Sequence, residues 1–307
     1  MRILITGGAG FIGSHLVDAL VDKHEVVVID DLSTGFKENV NKNAKLFVTD
    51  IRNREEIFKI FRDEHPEVVF HLAAQINVRR SVKDPAMDAE INILGSLNLL
   101  EASIKFGVKK FIFSSTGGAI YGDTEIIPTP ETVEARPVSP YGCAKLSIEK
   151  YLHYYYVNHG LRYTSLRYAN VYGPRQNPHG EAGVVAIFLD KMIKGENPII
   201  FGDGKQTRDF VYVSDVVDAN LLALKHLDIV DIFNIGTGIE TDINTIFKIL
   251  NSFFENKYKE IHAEAMPGEQ RRSCLSYEKA ERILGWKPRI DIETGLRKTH
   301  EYFKKKI

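Results

Sequence analysis

The chain has 307 residues, of which 44% are hydrophobic and 26% charged, and its net charge is −1. This is the composition of a soluble globular protein of one or two domains, without the basic excess that draws nucleic acid or an anionic membrane. No apolar stretch reaches membrane-spanning length, and Cys143 and Cys274 have neither metal-type spacing nor a disulfide framework. The chain enters a strand at once, with no room for a signal peptide, so the expected location is the cytoplasm and no metal is expected.

Ile3-Leu4-Ile5 reads as the first strand, and Ile12, Leu16, Ala19 and Leu20 lie on one face of the helix that follows. Between them stands Thr6-Gly7-Gly8-Ala9-Gly10-Phe11-Ile12-Gly13, the strand–turn–helix context of a dinucleotide-binding fingerprint. Gly7 permits the tight turn, Gly10 lets the backbone approach a pyrophosphate, and Gly13 allows close helix–strand packing. The helix start then turns its free N–H groups and positive dipole toward a diphosphate. Residues 25–29 read as the next strand, ending at Asp30-Asp31, with Asp30 17 residues past Gly13. A carboxylate there accepts hydrogen bonds from an adenosine ribose diol and repels a 2′-phosphate, which favours NAD over NADP.

The alternation continues with strands at 45–50, 68–72, 111–115 and 163–167, and helices at 55–64, 85–106 and 140–159. Continuous apolar strands separated by helices predict an α/β fold, a doubly wound parallel sheet of the Rossmann type. Beyond residue 170 the regularity breaks at the loop 172–180. Helices near 184–194, 213–225, 241–254, 276–284 and 293–305 and strands at 199–201 and 232–235 follow. The expected division is a dinucleotide-binding domain over 1–170 and a smaller substrate lobe over 171–307, with segments free to interleave.

Tyr141 and Lys145 are four residues apart on a helix that Ser139-Pro140 can start, so they share a face. A free phenol, with a pKa about 10, is a poor base at neutral pH. A neighbouring ammonium and a nicotinamide cation favour phenolate, so Tyr141 is a candidate base for removing a hydroxyl proton while hydride leaves the same carbon.

Thr6 to Gly13, Asp30, Ser114-Ser115-Thr116, the Tyr141/Lys145 pair and Leu166-Arg167-Tyr168-Ala169-Asn170 together resemble the extended short-chain dehydrogenase/reductase family. Within it the chain looks most like the enzymes that invert C4 of a UDP-hexose such as UDP-glucose or UDP-galactose. The resemblance implies a tightly held NAD, a UDP-sugar substrate and a homodimer formed through residues 85–106 and 140–159. It implies that Tyr141 takes the O4 proton, that Lys145 tunes Tyr141 and that Thr116 hydrogen-bonds O4.

By the same resemblance the cofactor meets Phe11 and Ile12 in the glycine turn, and Asp31, Ser33, Thr34 and Gly35 after the second strand. Asp50 and Ile51 meet adenine, Leu72, Ala73, Ala74 and Gln75 line the cofactor, Tyr168 approaches its nicotinamide, and Asn92 and Ser114 also bind the cofactor. The sugar nucleotide is implied to touch Asn170, Val184, Ile199, Phe201, Arg208, Glu269 and Arg271, with Arg208 on a phosphate.

Three departures stand out. The segment 114–121 is one residue longer than the common pattern. Met266 stands where a second phosphate-binding arginine is usual, leaving Arg271 to substitute or Arg208 to act alone. Ser273 or Cys274 stands where a bulky tyrosine often sits, which could admit an N-acetyl group. A 4,6-dehydratase or decarboxylase of the same family needs a further acid after Thr116, where this chain has Gly117-Gly118-Ala119. The same residues would also serve epimerisation of UDP-GlcNAc or UDP-glucuronate, and a noncatalytic NAD-binding sensor would share the fold without the chemistry.

Overall fold

The computed structural model describes residues 1–179, 183–265 and 270–305. In chain order come β1 (Arg2–Thr6), α1 (Phe11–Leu20), β2 (Glu25–Asp30), β3 (Lys45–Val48), α2 (Arg54–Glu64) and β4 (Val68–His71). Next are α3 (Val78–Lys83), α4 (Pro85–Ala89), a π turn over Glu90–Leu94 and α5 (Gly95–Lys105). β5 (Lys110–Thr116), the short α6 (Gly117–Ile120), α7 (Pro140–His159) and β6 (Arg162–Tyr168) follow.

The remainder holds β7 (Asn170–Tyr172), α8 (Val184–Ile193), β8 (Ile199–Phe201), β9 (Thr207–Arg208) and β10 (Phe210–Tyr212). It continues with α9 (Val213–Lys225), β11 (Asp231–Ile235), β12 (Thr241–Asp242), α10 (Ile243–Ser252), β13 (Ile261–Ala263), α11 (Glu278–Leu284) and α12 (Ile292–Lys304).

Seven of these strands form one parallel sheet in the order β11-β6-β5-β4-β1-β2-β3. The strands are apolar on both faces because both are covered. Ile3, Ile5, Val28 and Phe70 pack toward α1 and α9, while Leu4, Val27, Ile29 and Val69 pack with residues of α2, α5 and α7. A separate core joins Phe188 and Leu189 of α8 to Ile246, Leu250 and Leu296 of α10 and α12. The chain runs outward from β1 through β2 to β3, then restarts at β4 on the other side of β1. The crevice beyond the carboxyl ends of β1 and β4 is therefore the switch point where open α/β sheets bind ligands.

Two elements differ from the sequence reading. The run 85–106 is not one regular helix: Asn92 lies in the π turn, and its carbonyl accepts the Ser96 hydroxyl at 2.6 Å. α3 precedes it, separated because Asp84 turns out of helical geometry and its side chain accepts the Met87 N–H at 3.0 Å to cap α4. The run at 232–235 lies beside β6 as the seventh strand of the main sheet. Its buried Phe233 and Ile235 cover what would otherwise be an open edge, and α9 packs on α1, so the C-terminal segment interleaves with the first.

Candidate active site

The glycine turn is built from contacts too close for side chains. Gly7 has φ +72°, and a Cβ there would stand 2.7 Å from the Ala73 nitrogen. A Cβ on Gly13 would stand 2.1 Å from the Gly7 carbonyl oxygen. Gly10 is the N-cap of α1 and brings no side-chain cap, so the first N–H groups of the helix face the switch point unpaired by a side chain.

Asp30 ends β2 and is almost buried, and burial raises its pKa. Its Oδ2 accepts the Ala9 N–H and its Oδ1 the Leu32 N–H, both at 2.9 Å. Each oxygen keeps acceptor capacity for a hydroxyl. Asp31 turns onto Ser33 instead, accepting its N–H (2.9 Å) and hydroxyl (2.6 Å). Gly35 packs on Ala9, and Thr34 lies in the bend between them. Asp50 forms a fork with Arg52 (3.0 and 2.6 Å), which lowers its pKa, and the Ile51 side chain is buried against Gly95.

After β4 the segment Leu72-Ala73-Ala74-Gln75 lines the crevice, with the Leu72 and Ala73 N–H groups on the Thr6 hydroxyl. The Gln75 and Asn92 side chains are not aimed at a ligand. Gln75 Nε2 donates to Asp88 Oδ1 (2.8 Å), and Asn92 donates to the same oxygen (3.0 Å). Asn92 also brackets the Gln75 backbone, accepting its N–H at 2.8 Å and donating to its carbonyl at 2.9 Å. Both groups of the Asn92 amide are thereby occupied, so it holds the loop that would line a cofactor.

Ser139 caps α7 by accepting the Gly142 N–H, and Pro140 takes the first turn. Gly142 lets α7 approach α6: a Cβ there would lie 2.4 Å from the Ala119 carbonyl. The Tyr141 N–H donates to Ser81 on α3 at 3.2 Å. Lys145, 4% exposed, donates to the Ser114 carbonyl at 2.8 Å, with its Nζ 5.9 Å from the centre of the Tyr141 ring and 4.8 Å from that of Phe113. Ser114 is at the carboxyl end of β5, so the pair stands at the same sheet edge as the glycine turn.

Burial first, and Asp88 next, hold the Tyr141 phenol above its ordinary value, and burial brings Lys145 down to about 8 against the opposing pull of Asp88 and Glu149. The protein's own groups therefore keep Tyr141 protonated.

Thr116 ends β5 beside Tyr168 of β6, and no described residue hydrogen-bonds its hydroxyl. In α6 Gly117 packs against Leu275 and Gly118 faces the Asn170 side chain. The phenol of Tyr168 points toward α9, its hydroxyl between Ser114 (3.1 Å) and Asn220 (2.8 Å).

Asn170 is anchored by its N–H on the Asp209 carbonyl. Val184 opens α8, Ile199 and Phe201 are exposed on β8, and Arg208 on β9 donates to the Thr207 carbonyl at 2.8 Å. Arg271 forks onto Asp203 at 2.8 and 2.9 Å. Met266 and Glu269 lie outside the described residues. Cys274 is buried beside Asp209 with its thiol pushed up to about 12, and Ser273 is buried as well.

Sequence reasoning missed His71, Ser81, Asp88 and Asn220, and gave Thr6 no role of its own. Each is one buried polar residue in an otherwise ordinary element, and only tertiary packing reveals its partner.

Comparison with known proteins agrees with this geometry. Residues 3–236 match the model of the NAD dependent epimerase/dehydratase family. The chain is 43% identical over 312 residues to the UDP-glucose 4-epimerase of Mycolicibacterium smegmatis, covering 100% of this chain and 99% of the relative. It is similar to the crystal structure of UDP-glucose 4-epimerase with UDP-glucose from Thermotoga maritima (53% identity, TM-score 0.97, covering 100% of this chain and 99% of that one). It is also similar to the Thermus thermophilus UDP-glucose 4-epimerase complex with NAD (44% identity, TM-score 0.94, covering 100% of both).

Proposed function

The chain belongs to the NAD-dependent epimerase/dehydratase family, and we propose that it is an isomerase that inverts C4 of a UDP-hexose, interconverting UDP-glucose and UDP-galactose through a transient 4-keto sugar. The observation that carries the reading is the meeting of the glycine turn and the Tyr141/Lys145 pair at one edge of the sheet.

NAD suits the residues present. The uncapped start of α1 and the glycine cradle would hold its diphosphate, and the two Asp30 oxygens would take the adenosine ribose diol. Bound there, NAD supplies a reversible hydride acceptor and a positive charge. The Tyr141 oxygen takes the O4 proton and returns it, Lys145 holds the neighbouring charge, and Thr116 orients O4. Arg208 would pair with the sugar diphosphate, a role that suits its guanidinium fork. The Gly117-Gly118 turn beside Thr116 brings no acid of the kind that dehydration requires.

The reading extends to a cytoplasmic enzyme with two unpaired cysteines and to a homodimer. Tyr151, Tyr154 and Val157 of α7 and Leu94 of the π turn are exposed and would be covered by the partner. Sedimentation at the monomer mass would refute the dimer.

Incubating the purified protein with UDP-galactose, without added NAD, should yield UDP-glucose. Net release of NADH would point to a dehydrogenase, and a product lacking water or CO₂ to a lyase.

A further inference from the structure

Asp88, on α4, is 1% exposed. Its Oδ1 accepts two amide donors, from Gln75 and Asn92. Its Oδ2 is equally buried, and no donor among the described residues reaches it. A carboxylate oxygen left in this way is costly unless a positive charge compensates it. α4 packs against α7, and Asp88 acts on both Tyr141 and Lys145.

Lys145 has the complementary problem. It is a buried ammonium held by one backbone carbonyl and two ring faces. Two described carboxylates act on it, Asp88 and Glu149. Glu149 is already balanced, because Arg167 forks onto it through Nε (2.9 Å) and Nη2 (2.5 Å). His71, from β4, is neutral, with its pKa pressed to about 3 by burial. Arg79, Arg80 and Lys83 of α3, Asp84 before α4 and Glu90 after it are exposed to solvent and screened.

We propose that Asp88 is the counter-ion of Lys145, a positioning residue that keeps the buried ammonium charged while Tyr141 passes between phenol and phenolate. The inference rests on the proton-transfer reading of Tyr141 given above. When Tyr141 carries the proton it no longer balances Lys145, and Asp88 then remains as the uncommitted negative charge. Gln75 and Asn92 fix that carboxylate from its other oxygen, which ties the cofactor-lining loop to the charge of the catalytic pair.

Asp88→Asn separates charge from geometry. An amide oxygen at Oδ1 still accepts both bonds, and the oxygen it replaces at Oδ2 makes none. With ¹³Cε-labelled lysine, the Lys145 signal, assigned by its loss in Lys145→Arg, should titrate about one pH unit or more lower in Asp88→Asn than in the parent protein. An unchanged midpoint overturns the proposal.

Thermal unfolding of Asp88→Asn, Lys145→Met and their combination gives a second readout that needs neither catalysis nor intact activity. The Tm loss of the double variant should be smaller than the sum of the two single losses, since removing both charges leaves no unpaired ion. Additive losses overturn the proposal. Failure of the parent protein to convert UDP-galactose would instead strike the functional reading and leave both of these comparisons standing.

Discussion

The Thr6 hydroxyl, 2.7 Å from His71 Nδ1, sets the tautomer of that buried ring. Thr6 Oγ1 accepts from the Leu72 and Ala73 N–H groups, so its own proton points at Nδ1. The ring proton then sits on Nε2 and donates to Ser96 (2.7 Å), which donates onward to the Asn92 carbonyl in the π turn. One directed chain thus links the strand before the glycine turn to the π turn, whose Asn92 bonds Gln75 and Asp88.

That chain requires a neutral imidazole, and burial lowers the folded-state pKa of His71 to about 3. Between that value and the ordinary value near 6.5 the unfolded chain binds the extra proton. The contribution is therefore complete above the ordinary value and is lost as pH falls below it. Lowering the pH from about 6.5 to 5 should cost on the order of 2 kcal/mol through this residue. Denaturant unfolding at both pH values checks it: His71→Gln should flatten the difference, and an undiminished difference would assign the acid sensitivity elsewhere.

Gly13→Ala should fail for a reason local to the turn. The added methyl would stand 2.1 Å from the Gly7 carbonyl oxygen, a backbone atom that cannot swing aside. Separation of α1 from β1 should cost about 1–3 kcal/mol and lift the helix start away from the diphosphate position. Calorimetry with NAD should show the loss of affinity. An alanine variant that binds NAD as the parent does would show that this close approach is dispensable.

Tyr141→Phe keeps the ring and removes the phenol. Because the surroundings hold that phenol protonated, no buried anion is lost and stability should change little. Turnover of UDP-galactose should fall by about 100- to 10,000-fold if the phenol oxygen is the proton carrier. The falsifying result is near-normal epimerisation in a variant with parental circular dichroism.

The main sheet and the glycine turn were legible because their signals are periodic or local: apolar runs, a strand-to-helix glycine trio, an acid at the next strand end. The seventh strand at 231–235 was visible as a strand but not as a neighbour of β6, since pairing is a tertiary choice. The π turn and α3 left no periodic trace, and their boundaries follow from the Asp84 cap on α4 and the bonds of Asn92 to Gln75 and Asp88. The Tyr141/Lys145 spacing was readable. Its electrostatic setting was not, because Asp88 lies far from it in sequence and differs in no way from a surface acid until the helices pack.

The helix that carries this pair is pinned to the sheet by a buried ion pair. Glu149, one turn after Lys145, accepts from Ser115 (2.8 Å) on β5, from Ser165 (3.0 Å) on β6 and from the Arg167 fork. Arg167 also donates to Tyr121, whose hydroxyl donates to Asn234 on β11 at 2.8 Å. Four elements meet in this network, so removing one charge strands the other without water. Arg167→Met should destabilise the protein by about 3–5 kcal/mol, and Arg167→Met with Glu149→Leu by clearly less than the single change. Urea unfolding of the two variants separates the cases. If the double variant is no more stable than the single one, the loss belongs to packing and not to an uncompensated carboxylate.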